Sequence, residues 1–284
     1  MQRMATRLGI IPSIALFIIV AWVVMGIFAD LIATHDHRFG DIATAGTAPS
    51  FGGGDDRHLF GTDNLGRDVF SRVVFGSRIS LLVSVLVIGI GASFGSIAGI
   101  VSGYFGGIVD AVLMRIVDLI LSLPLILIAI VAAVTAEPSL RNVVIIIAFF
   151  VWPRFARQIR AEALRLREQD FIALAHIAGI SNIRIMVRHI LPNVTPTIIV
   201  ITTLQVGLVI LIEASLSFLG VGVPPPTPTW GRMVADGRGV ITFMWWISLF
   251  PGLAIVFVVL AMNTLGDWLR DYLDPRMVRM GQIT

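Results

Sequence analysis

The chain has 284 residues, 56% hydrophobic and only 14% charged, against roughly 25% charged in an ordinary soluble domain. A mean hydropathy of +0.91 marks a membrane protein. The net charge of only +3 gives nucleic-acid binding little support, and with no cysteine there are neither disulfides nor thiolate metal sites.

A helix needs about 20 apolar residues to cross a hydrocarbon core. The first such run, Ile10–Ile32, follows Arg3 and Arg7. It is well beyond the roughly 7 to 15 apolar residues of a secretory signal, so an uncleaved first span is expected. The loop after it, Thr34–Arg78, contains Gly52–Gly54 and turn glycines at Gly61 and Gly66. Asp63, Asn64 and Asp68 lie close together there, but their spacing is not that of a calcium loop, and no metal site is expected. Val69, Phe70, Val73 and Val74 with Arg67, Arg72 and Arg78 suggest an amphipathic interfacial helix leading into the second span.

The second run, Ile79–Val101, carries Gly91, Gly95 and Gly99 at four-residue spacing, a series that Gly103 continues just beyond it. Such a stripe lets another helix approach closely, and it is a poor match to a dinucleotide loop. In the third run, Val109–Val134, Arg115 and Asp118 share a helical face and are expected to form a structural ion pair. A shorter fourth run, Val143–Trp152, counts as a span if its helix continues through Pro153 and Arg154.

Between the fourth and fifth runs the chain turns polar but keeps helical periodicity. Phe171, Leu174, Ala175 and Ala178 make one short helix, ended by Gly179. After a cap expected at Ser181, Ile183, Met186, Val187 and Ile190 form the apolar face of a second helix, with Arg184 and Arg188 opposite and Pro192 as its expected boundary. Two arginines one turn apart repel by a few tenths of a kcal/mol, so lipid phosphate or an acidic partner would be favourable there. His176 and His189 read as surface or packing histidines, and no histidine pair has metal-ligand spacing.

The fifth run, Thr195–Val221, contains Glu213 among apolar neighbours. A carboxylate at such depth is costly unless it faces a bundle interior or a wet cavity. Lining a translocation path and bonding to a neighbouring helix are both open readings. Pro224–Pro228 should stop this span, and Trp245–Leu265 supplies the sixth. Seven arginines between the fourth and fifth runs (Arg154, Arg157, Arg160, Arg165, Arg167, Arg184 and Arg188) make that loop cytoplasmic by the positive-inside rule. Together with Arg3, Arg7, Arg270, Arg276 and Arg279 they place both termini in the cytoplasm, although Thr34–Arg78 holds five arginines against six aspartates. The expected fold is an all-α polytopic membrane protein of about six transmembrane helices. No Walker A sequence, nucleophile elbow or HExxH occurs, so catalysis and a cofactor within this chain are not expected.

Three separated motifs carry a family resemblance. Ala173, Ala175, Gly179, Leu191 and Pro192 sit at the spacing of the "EAA" loop of binding-protein-dependent ABC importer permeases. "LFGTDNLGRDVFSR", with Gly61, Asp63, Gly66, Arg67 and Asp68, and "EASLSFLGVGVPPPTPTWG", Glu213–Gly231, resemble the C-type subunit of the dipeptide, oligopeptide and nickel group. The resemblance implies a first span and external loop over residues 1–78, then a five-helix permease core over 79–284 containing a coupling loop, 164–192. It also implies a homologous B-type permease, two cytoplasmic ATPases binding ATP and Mg, an extracytoplasmic solute-binding protein, and an inner-membrane location among lipids. Where the loop consensus has Glu this chain has Ala173, followed by Leu174 in place of Ala, and His189 stands where an apolar residue is usual. Docking on the ATPase is therefore expected to be apolar, through Phe171, Leu174 and Ala175, with Asp170 and Glu168 as nearby acids. The solute expected is a di- or oligopeptide or something similar. The rival reading is a stand-alone secondary transporter or channel using Glu213.

Overall fold

A computed structural model describes residues 9–135 and 139–273. Arg3, Arg7, Arg276 and Arg279, part of the orientation argument, lie outside the described residues. The elements are α1 (Ile10–Ile27), α2 (Val69–Phe105), α3 (Gly107–Ser122), α4 (Leu125–Thr135), α5 (Leu140–Arg167), α6 (Asp170–Ile177), α7 (Asn182–Phe218), α8 (Trp230–Gly237) and α9 (Trp246–Leu273). Among the described residues the only extended pairing is one antiparallel bridge, Thr62 with Asp68.

Five helices, α1, α2, α5, α7 and α9, are long and apolar enough to cross a membrane, and six spans result if α3 and α4 count as one. The run Val109–Val134, expected as a single span, is instead bent by 78° between α3 and α4. Pro124 explains the break: it offers no N–H and disfavours helical geometry in the preceding residue, and Leu123 is extended at φ −79°, ψ 133°. Pro153, by contrast, sits inside an unbroken α5, so the short fourth run becomes part of a 28-residue helix.

The chain forms two compact units that interleave in sequence. One comprises residues up to Val85, Ala129–Val144 and Val206–Leu265; the other comprises Leu86–Ile128, Ile145–Gln205 and the residues from Gly266 onward.

In the first unit, Trp22 of α1 packs with Ile210, Trp230, Val258, Val259 and Met262. A second cluster joins Val69 and Val73 to Met233, Trp246 and Ile247. The fully buried Trp230 donates its indole N–H to the Val73 carbonyl at 2.9 Å, and a Cβ on Gly76 would lie 2.6 Å from that indole. A buried tryptophan usually finds a partner for its N–H, and here the Val73 carbonyl of α2 supplies it.

The second unit is built on the glycine stripe. A Cβ would lie 2.9 Å from Val151 at Gly91, 2.7 Å from the Ala156 carbonyl oxygen at Gly99 and 2.7 Å from Ala163 at Gly103, and at Gly95 it would fall on the Trp152 carbonyl. The two helix backbones therefore touch along three turns, which only glycine allows. Ala98, Val117, Ile120, Phe150, Trp152 and Ala156 form the surrounding core.

Candidate functional site

α6 begins after Gln169, with Asp170 in its first turn, where a carboxylate complements the helix dipole. Its two faces are sharply different. Ile172 and Ala175 are buried, whereas Phe171, Ala173, Leu174 and Ile177 are exposed, Leu174 at 64% and Ile177 at 83%. Ala175, expected among the docking residues, is thus turned inward, because three and four residues along a helix mark opposite edges of an already narrow face. Ile177 takes its place, and the exposed apolar edge is Phe171, Leu174 and Ile177.

The end of α6 is a Schellman closure. The Ile180 N–H donates to the Ala175 carbonyl at 3.1 Å and the Gly179 N–H to the His176 carbonyl at 3.0 Å. Gly179 sits at φ +71°, yet nothing lies within 4 Å of where its Cβ would be. Glycine is needed there for the left-handed backbone and for no steric reason.

Tyr104, near the end of α2, anchors this segment. Its hydroxyl donates to the Asn182 Oδ1 at 2.9 Å and lies 3.1 Å from the His176 Nε2, with the two rings stacked. His176 is therefore a packing histidine with a defined partner. Ser181 occupies the cap position of α7, but its hydroxyl makes no capping bond.

The second helix differs from the expected pattern. Met186–Ile190 is a π turn, with the Leu191 N–H bonded to the Met186 carbonyl. The extra residue rotates the chain, so Ile185 and Ile190, five apart, are the buried pair while Ile183 and Val187 are exposed. Nor does Pro192 end the helix, which runs on through it to Phe218. A proline lacks the N–H and crowds the carbonyl four residues back, and the wide turn immediately before it relieves both demands. Arg184 and Arg188 remain exposed, as does Pro192. Met186, Val187, Leu191 and Ile198 share an apolar cavity of about 450 Å³ with Ser96 and Ile100 of α2.

Charges bind the rest of this unit. Arg160 holds both carboxylate oxygens of Asp110, which also accepts from the Ser102 hydroxyl. Asp118 pairs with Arg157 of α5, and no bridge joins it to Arg115 among the described residues. The neighbouring helix offers a geometry that the same-helix pair does not.

In the first unit, Glu213 is 1% exposed. One oxygen accepts from the Ser217 hydroxyl at 2.7 Å, one turn on, and the other has no partner among the described residues. The motif around Gly61 forms a tight loop with the turns expected at Gly61 and Gly66, and the helix after it starts at Val69 as the first turn of α2, with Val69, Val73 and Val74 buried rather than interfacial. Gly61 and Gly66 both take positive φ, and the Asp63 carboxylate accepts the N–H groups of Leu65 and Arg67 and the Arg67 guanidinium at 2.7 Å. Asp68 caps α2 by accepting from the Ser71 N–H at 2.8 Å. Arg72, expected at an interface, is buried, donating to the His37 carbonyl at 3.1 Å with Asp63 3.6 Å away. Asp63, Arg67 and Arg72, with Arg232 and Asp236, line a cavity of about 350 Å³ that also includes Pro226.

Tyr104, Asp110, Ile177, Arg232 and Asp236 were not singled out by the sequence. A lone tyrosine at a helix end was the available signal for the first. The others depend on which helix becomes the neighbour.

Comparison with known proteins agrees with the motifs. Residues 91–279 match the model of the binding-protein-dependent transport system inner membrane component. A putative peptide transport system permease protein of Brucella abortus biovar 1 (strain 9-941) is 46% identical over 224 residues, covering 79% of this chain and 75% of that protein. A similar putative peptide permease from Brucella suis biovar 1 (strain 1330) is 40% identical over 220 residues, covering 78% and 74%. The glutathione transport system permease protein GsiD of Escherichia coli O1:K1 / APEC is 42% identical over 264 residues, covering 93% of this chain and 85% of GsiD.

Proposed function

Because the chain belongs to the family of binding-protein-dependent transport system inner membrane components, we propose that α6 is the handle by which ATP hydrolysis is transmitted to it. The chain is a multi-pass inner-membrane permease subunit of an ABC importer, and ATP is hydrolysed on partner subunits. The proposed assembly adds a homologous B-type permease, two ATPases holding ATP and Mg, and an extracytoplasmic solute-binding protein. Both termini and α6 are proposed to face the cytoplasm. The solute proposed is a peptide or a small peptide-like molecule such as glutathione, in line with what the relatives are named for.

The observation that carries the reading is the exposed apolar edge Phe171, Leu174 and Ile177, on a helix closed by Gly179 and tied to α2 through Tyr104. Moving an equilibrium from 1:99 to 99:1 takes about 5.5 kcal/mol of differential contact. Three apolar side chains, each giving at most about 1.5 to 3 kcal/mol on full burial, supply differential contact of that order if the ATPase groove holds them in only one state. Loss of the usual acid at Ala173 is then tolerable, with Asp170 as the nearest charged contact. Arg184 and Arg188 are left for lipid phosphate or acids of the partner.

Glu213 supports a structural role, since it is fully enclosed and bonded to Ser217, and a stand-alone transporter working through it is not favoured. The test uses the full complex in liposomes with its binding protein. Leu174→Asp should cut solute-stimulated ATP hydrolysis and uptake at least tenfold while the permease still inserts. Unchanged coupling in both Leu174→Asp and the double change Phe171→Ser with Ile177→Ser would overturn the assignment, and unchanged coupling on Asp170→Lys would remove Asp170 from it.

A further inference from the structure

His35, His58 and Asp68 each present a ligand atom, and these atoms lie within 4.8 Å of one another. They arrive from three separated points of the segment between α1 and α2, so their spacing along the chain gives no metal pattern. Asp68 and His58 are buried, and the His35 side chain is 37% exposed. Both imidazoles turn their Nδ1 toward the same carboxylate oxygen, Asp68 Oδ1, at 2.9 Å for His58 and 3.8 Å for His35. The two rings are 4.6 Å apart.

The supporting shell fixes this arrangement. The Ser71 N–H holds the other carboxylate oxygen, Asp68 Oδ2, which leaves Oδ1 aimed between the rings. The Ser71 hydroxyl accepts from the His35 backbone N–H at 3.0 Å and lies 3.4 Å from the Thr34 hydroxyl, which is itself 3.0 Å from the His35 Nδ1. The bonds from Ser71 hold the His35 backbone and the Asp68 carboxylate in place, while the Thr34 hydroxyl occupies His35 Nδ1 and would give it up to an ion. A single proton can join one imidazole to the carboxylate, but it leaves the second nitrogen beyond hydrogen-bond reach of it.

The geometry points to a binding site for a divalent cation of the zinc kind, held by His35, His58 and Asp68. Metal–ligand bonds of about 2.0 to 2.1 Å in a tetrahedral site put the ligand atoms roughly 3.3 Å apart; the 2.9 and 3.8 Å separations from Asp68 Oδ1 bracket that value, and the three atoms, all within 4.8 Å of one another, would draw together around an ion. Two imidazoles with one carboxylate suit a borderline ion such as Zn²⁺ better than Mg²⁺ or Ca²⁺, which prefer oxygen ligands. The partial exposure of His35 leaves room for water as a fourth ligand. The ion would clamp the residues after α1 onto the capped first turn of α2.

The test uses tag-free full-length protein in detergent, equilibrated with Zn²⁺, dialysed and assayed for metal by mass spectrometry. About one retained Zn²⁺ per chain is expected, together with a rise in the thermal midpoint. His35→Ala, at an exposed position, should lose both effects while its metal-free midpoint stays near that of the wild type; His37→Ala should retain both. X-ray absorption fine structure at the zinc K-edge should show two imidazoles in the wild type. No Zn²⁺ above the dialysis background, or undiminished binding in His35→Ala and in His58→Gln, would overturn the assignment.

Discussion

Glu213 brings a carboxylate into an apolar interior with only the Ser217 hydroxyl to meet it. A buried polar group that keeps its hydrogen bond costs far less than one that loses it. Glu213→Gln, which keeps the shape and an acceptor for Ser217, should leave the thermal midpoint unchanged or raised. Glu213→Ala should lose about 1 to 3 kcal/mol through the orphaned hydroxyl and the cavity, measured by thermal unfolding in detergent. Gly179→Ala isolates backbone strain, because no atom is near enough to clash. It should cost about 1 to 2 kcal/mol locally, seen as faster hydrogen exchange over 170–180 with little change in the global midpoint. His37, stacked on Phe75, has its pKa held below the ordinary 6.5 chiefly by burial, against the opposing pull of Asp36. The unfolded chain therefore takes up that proton first, so the contribution of His37 to stability is intact above about pH 6.5 and lost as pH falls below it. His37→Phe should flatten the fall in thermal midpoint between pH 7.5 and pH 5.5.

Among the helices, the α2–α5 contact is close over several successive turns. Gly95→Leu should prevent correct folding, because its side chain would fall on the Trp152 carbonyl and Phe155, whereas Gly89→Ala, with nothing within 4 Å, should be neutral; expression and size-exclusion profile distinguish the two. The four-residue spacing made that stripe visible in the sequence, because backbone contact depends on residue size at a fixed period. The long apolar helices were visible for a similar reason. The break at Pro124 and the passage through Pro192 were not, since proline either ends a helix or is absorbed by it according to its neighbours. At Pro192 the neighbour is a π turn, which has no distinguishing residue pattern in "MVRHI". Arg72 was misplaced because an arginine near a span reads equally well as snorkelling or as paired, and only the fold brings Asp63 and the His37 carbonyl to it. The coupling segment was readable as far as its helix and Gly179. Which edge faces outward depended on Tyr104 and the underlying packing, and so Ala175 was placed outside and Ile177 overlooked.

For the whole molecule, the proposed coupling depends on a partner ATPase covering and releasing the apolar edge of α6. The chain has no cysteine, so a single introduced thiol reports on one position without background. The direct measurement is cross-linking of Leu174→Cys to a cysteine in the docking groove of the ATPase, in the assembled importer, with and without ATP. An efficient cross-link whose yield changes with nucleotide is expected, together with protection of this thiol from maleimide in the complex relative to the isolated permease. A thiol at position 174 that labels equally fast in both and forms no cross-link would contradict the proposed coupling.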